Sequence, residues 1–181
     1  MKKGLIIVDY QNDFVKPDGA LSVPNADTVY EYILKMADST PKELIVATID
    51  AHNEKEWELL NTPESAKYPP HCVKGTQGCK LYGELEQKVE AGNIFEKNAY
   101  APDKTAFYNL EDCDEIFMVG VVTEICVYQT AIALYTAMAN INKYPKITVD
   151  LNGCYHLNET AAKQQMQYLK DYLGITVIER A

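Results

Sequence analysis

Three short apolar runs dominate the sequence, GLIIV (4–8), ELIVATI (43–49) and EIFMVG (115–120), and KITVDL (146–151) reads as a further strand. The three runs are largely continuous rather than alternating, so each predicts a strand buried on both faces. Between them lie stretches with helical spacing. Residues 26–37 place Ala26, Val29, Tyr30, Ile33, Leu34 and Ala37 on one face. Residues 82–91, 125–139 and 158–173 read the same way, and NIFEK (93–97) and ITVIE (175–179) add two short strands. Buried strands alternating with helices imply a parallel sheet covered on both sides. The expectation is an α/β protein: three layers, α/β/α, around a mostly parallel six-stranded sheet, in one domain spanning residues 1–181. Residues 51–80 carry no period and many Pro, Gly and polar residues. They predict a long loop, and long loops in compact domains are often functional.

Charge narrows the partners. The 181 residues carry a net charge of -9 with no Lys/Arg cluster, which argues against binding nucleic acid or an anionic membrane. No apolar run approaches the roughly 20 residues of a membrane span. The opening MKKGLIIVDY is basic and then apolar, but Asp9 interrupts it too soon for a signal peptide. The cysteines, Cys72, Cys79, Cys113, Cys126 and Cys154, are odd in number and irregular in spacing, with no CxxC. Reduced thiols in a cytoplasmic protein fit better than a disulfide framework.

In open α/β sheets, ligands bind beyond the carboxyl ends of the strands. Asp9 follows the first strand, Asp50 and His52 the second; Lys97 ends the short third strand, and Thr123, Glu124 and Cys126 follow EIFMVG. If Thr123 caps the next helix, Cys126 falls in its first turn. Unpaired N–H groups and the helix dipole there favour a thiolate and can hold an oxyanion. Each residue alone has an ordinary explanation: a small plug at a strand–helix junction, a turn-capping Asp, a surface Lys. Together they form a set in which a carboxylate can take a thiol proton and an ammonium can steady the charges. The long loop adds Glu64 and His71 to Asp50 and His52, using two of the three histidines. Two imidazoles and two carboxylates suit a divalent transition metal with open positions, although residue types alone leave metal binding open.

The segments GLIIVDYQNDF, TIDAH, YPPHCVKGTQG, FEKNAYAPDKTAF and VGVVTEICVYQTA, in that order, resemble the isochorismatase-like cysteine hydrolases, and within them the nicotinamidase branch. The likeness spans residues 4 to about 134. It implies the isochorismatase-like hydrolase fold and a homo-oligomer that hydrolyses nicotinamide to nicotinate and ammonia through a cysteine thioester. The alternative is another amidohydrolase of this family acting on a different small amide. A phosphoacceptor signalling domain fits poorly, because the first strand ends in one Asp rather than an acidic pair. By resemblance, Asp9, Lys97 and Cys126 form the catalytic triad, and Val122 and Cys126 supply oxyanion N–H groups after a cis Val121–Val122 bond. Phe14 and Val122 contact substrate. Asp50, His52, Glu64 and His71 hold one divalent metal, zinc ahead of iron or manganese. The chain departs from the usual pattern at Glu124 (usually Asp), Thr105 (usually Ser) and Lys104 (often Tyr). Tyr100 and Trp57 are candidates for the missing aromatic wall, and His156 reads as structural.

Overall fold

The computed structural model describes residues 1–57, 59 and 61–180. Six parallel strands form one sheet: β1 Lys3–Val8, β2 Ile45–Asp50, β3 Ile94–Lys97, β4 Glu115–Val121, β5 Lys146–Tyr155 and β6 Thr176–Ile178, in the order β3-β2-β1-β4-β5-β6. The chain builds outward from β1 to β2 and β3, then returns to the other side of β1 with β4. That reversal opens a crevice beyond the ends of β1 and β4, where this class of sheet binds ligands. Leu5, Ile6, Ile7 and Val8 are all buried, as a central strand covered on both faces requires.

The described helices are α1 Asn12–Val15, α2 Tyr30–Asp38, α3 Glu54–Trp57, α4 Pro63–Lys67, α5 Leu85–Lys88, α6 Tyr128–Asn140 and α7 Glu159–Leu173. Helices α2 and α5 pack together, as do α6 and α7; right-handed crossovers place the two pairs on opposite faces. The stretch expected to be helical over 82–91 is so only at Leu85–Lys88. Gly83 is left-handed (φ 63°) and the Tyr82 N–H donates to the Tyr10 carbonyl at 2.8 Å, so the chain cannot enter a helix sooner. The KITVDL strand extends to Tyr155 through a register shift against β4. Within the long loop, α3 and α4 are short helices. No described helix is long and apolar enough to cross a membrane.

Candidate active site

The ends of β1, β2, β3 and β4 bring the expected residues together. Asp9, just past β1, has left-handed backbone (φ 48°), a strained state that tends to occur at functional sites. Its buried carboxylate accepts a hydrogen bond from Thr48 Oγ1 at 2.6 Å through Oδ1, while Oδ2 lies 2.7 Å from Lys97 Nζ. Lys97 also pairs with Asp50, its register partner across β2 and β3. The same ammonium sits 4.0 Å from Cys126 Sγ. Gly120 makes the close approach of β4 to β1 possible: its φ is 127°, and a Cβ there would fall on the Val8 carbonyl.

Cys126 does not sit in the first turn of a Thr123-capped α-helix. Residues Thr123–Val127 form a single π turn, with the Val127 N–H reaching back to the Val122 carbonyl at 3.2 Å. Thr123 is buried, and its hydroxyl donates to the Tyr155 carbonyl at 2.8 Å, so it anchors the turn to β5 instead of capping a helix. The peptide bond Val121–Val122 is cis. Nor is the resting thiol held as a thiolate. Burial raises its pKa well above the usual value; Lys97 pulls the other way, but Asp9 and Asp50 add to the rise. Burial likewise pushes Asp9 up to about 6 against the pull of Lys97. Lys97 stays charged: its burial is outweighed by Asp9, Cys126 and Asp50. A protonated thiol therefore faces a carboxylate that can accept its proton.

The metal-type residues also converge. One ligand atom from each of Asp50, His52, Glu64 and His71 lies within 4.8 Å of the others. His71 arrives because the loop pairs back onto the end of β2, with the His52 N–H donating to the Cys72 carbonyl at 3.1 Å. Glu64 arrives on α4, whose start is fixed by a Thr62–Ser65 capping box. His71 Nδ1 lies 2.9 Å from the Pro69 carbonyl, which leaves Nε2 facing Asp50 Oδ2 at 3.8 Å. His52 Nε2 is buried with no hydrogen-bond partner among the described residues. Burial lowers the His52 pKa, favouring the neutral imidazole, and burial with Asp50 raises Glu64. An orphaned imidazole nitrogen among carboxylates is the environment a divalent cation satisfies.

Between the two groups lies a narrow cavity bordered by Cys126 and Val122 on one side and by Asp50, Glu64 and His71 on the other. Phe14 lines it and its ring packs on His71 at 5.4 Å between centroids. Tyr100 and Tyr68 also line it. Lys104 lies instead in a groove beside α6. Trp57 packs on the rings of His52 and His71, at 4.6 and 5.0 Å, and so walls the metal-type cluster. Other contributors carry little signal in the sequence. Tyr68 and Leu157 line the cavity from distant segments that carry no local signal. Gln11 is buried and clasps the Asp50 backbone, its Oε1 accepting from the Asp50 N–H and its Nε2 donating to the Asp50 carbonyl, both at 2.8 Å; its signal was a polar side chain two residues beyond Asp9. His156 stacks on Tyr155 at 5.2 Å.

The doubly wound parallel sheet thus holds a buried thiol, carboxylate and ammonium together at its reversal point. The isochorismatase domain matches residues 3–179, and the chain belongs to that family. It is 34% identical to a nicotinamidase/pyrazinamidase of Mycobacterium tuberculosis over 71% of this chain and 76% of that protein. The crystal structure of the Bacillus subtilis nicotinamidase/pyrazinamidase PncA superposes with a TM-score of 0.80 at 28% identity, covering 99% of this chain and all of that one. The pyrazinamidase of Pyrococcus horikoshii, solved in complex with zinc, gives 0.77 at 26% identity, covering 99% of each chain.

Proposed function

We propose that the protein hydrolyses nicotinamide to nicotinate and ammonia, with Cys126 as nucleophile and residues 1–181 acting as one catalytic domain. The observation that carries this reading is one cavity bordered both by Cys126, whose sulfur neighbours Lys97 and Asp9, and by Asp50, Glu64 and His71 of the four-residue cluster. The cluster weighs against an amidohydrolase for a substrate with no metal-binding atom.

Asp9 accepts the thiol proton as Cys126 sulfur bonds to the carboxamide carbon. The N–H groups of Val122 and Cys126 receive the developing oxyanion. Protonated Asp9 then passes its proton to the leaving nitrogen, and ammonia departs to leave a thioester. Asp9 next takes a proton from water. The resulting hydroxide adds to the acyl carbon, the C–S bond breaks, and the proton returns from Asp9 to sulfur. Lys97 stays protonated throughout and balances the negative charge shared by Asp9 and Cys126. A divalent metal held by Asp50, His52, Glu64 and His71 would supply a Lewis-acidic anchor for the pyridine nitrogen. Zinc is the first choice, in keeping with the Pyrococcus horikoshii relative, with iron or manganese as alternatives for the same donor set. The direct test is ammonia release from nicotinamide by the metal-loaded protein; a protein that binds nicotinamide without releasing ammonia would be a scaffold.

Two further outcomes are expected. Because Asp9 must be ionised to accept the thiol proton and titrates near 6, kcat/KM should fall as pH drops through about 6 and flatten above it. A profile flat down to pH ~5 would remove Asp9 as the base. Chelation should raise KM for nicotinamide at least about tenfold, the scale of losing one specific polar anchor. Benzamide, which lacks the ring nitrogen, should be hydrolysed equally before and after chelation, and iodoacetamide should still alkylate Cys126. Equal nicotinamide kinetics with and without metal would refute the anchoring role.

A further inference from the structure

Leu157 lines the cavity together with Ile125 and Cys126, yet it is 44% exposed. It is an apolar side chain at the mouth, between β5 and α7, and its backbone is held from the nucleophile's own turn. Glu124 Oε1 accepts from the Leu157 N–H at 3.0 Å and from the Asn158 N–H at 2.7 Å. Asn158 in turn caps α7 by accepting from the Ala161 N–H at 3.0 Å. On the other side of Leu157, Thr123 holds the Tyr155 carbonyl, and the Arg180 guanidinium lies 4.6 Å from the Tyr155 ring centre. Two consecutive residues, Thr123 and Glu124, thus fasten the turn bearing Cys126 to both flanks of Leu157. The other Glu124 oxygen is buried with no hydrogen-bond partner among the described residues, so the carboxylate's hydrogen bonds there go to this one segment.

We infer that Glu124 is a specificity-determining positioning residue: it fixes Leu157 as the outer wall against which the substrate ring is gripped. An exposed leucine gains burial only when a ring fills the cavity, so the grip contributes to binding rather than to the chemical step. The inference rests on the proposed nicotinamide hydrolysis and deepens it.

In the metal-loaded protein, Glu124→Ala should raise KM for nicotinamide about tenfold, the scale of a lost apolar contact, with kcat changed less than about twofold. It should also narrow the preference for nicotinamide over the bulkier 5-methylnicotinamide. Leu157→Ala should reproduce both effects, and the double variant should be no worse than either single one, because the two act through one wall. Glu124→Gln keeps an acceptor oxygen and should recover most of the loss. A fall in kcat at constant KM, or additive effects of the two alanines, would overturn the inference. Should Glu124→Ala not fold, Glu124→Gln and the half-exposed Leu157→Ala carry the same comparison. The inference is separable from the reaction by alkylating Cys126 with iodoacetamide and with its bulkier N-benzyl derivative. Leu157→Ala should speed only the bulky reagent, whether or not nicotinamide is turned over; equal rates with both reagents would overturn the wall assignment.

Discussion

Cys126→Ala should lose turnover of nicotinamide by roughly four to six orders of magnitude, the scale seen when the nucleophile of a concerted catalytic group is deleted. The sulfur is the only described thiol on the cavity that also borders Asp9 and Lys97, so no neighbouring group can replace it. The fold should survive. Removing one buried sulfur costs on the order of 1 kcal/mol in packing, and the π turn around residue 126 is held by backbone bonds and by Thr123. Binding should persist as well, because Phe14, Tyr100 and the cluster on the opposite wall are untouched. Calorimetric titration with nicotinamide and unfolding curves check both points. Turnover by the alanine variant within about a hundredfold of wild type would end the nucleophile assignment.

Asp9→Asn should cost about 10²- to 10⁴-fold in kcat, since one carboxylate serves as base and then as acid in both halves of the reaction. Asparagine keeps the size of the side chain and an oxygen to accept from Thr48. It cannot take the proton of Cys126, whose pKa burial and Asp50 would still hold high. Lys97 would still pair with Asp50, so the ammonium would remain anchored. The loss should appear in kcat, with KM little changed, because Asp9 is not among the residues bordering the cavity. A loss under about tenfold would reduce Asp9 to a capping residue.

The sheet is legible because β1, β2 and β4 are continuous apolar runs, a signal that depends on burial and not on context. The positions of Asp9, Asp50, Lys97 and Cys126 followed from strand ends alone, and the structure brings all four together. The turn around Cys126 was misjudged because TEICV carries no mark of a π turn, and Thr123 has the composition of a cap while its hydroxyl is drawn to β5. Likewise a thiol at a helix start suggests a thiolate, but the charge state is decided by burial and by Asp9 and Asp50, which arrive from other strands. Tyr68 and Leu157 were invisible for a related reason: they reach the cavity from segments distant in sequence. Lys104 offers no aromatic ring, and only the packing brings Tyr100 onto the cavity.

The central claim is a covalent intermediate on Cys126, and its most direct test is rapid acid quench of the metal-loaded protein during turnover of nicotinamide, followed by mass spectrometry of the peptide containing residue 126. The mechanism predicts a nicotinoyl thioester on Cys126 that accumulates when deacylation is slowed and vanishes in Cys126→Ala. Ammonia release with no acyl group on that peptide, or with the acyl group on another residue, would contradict it.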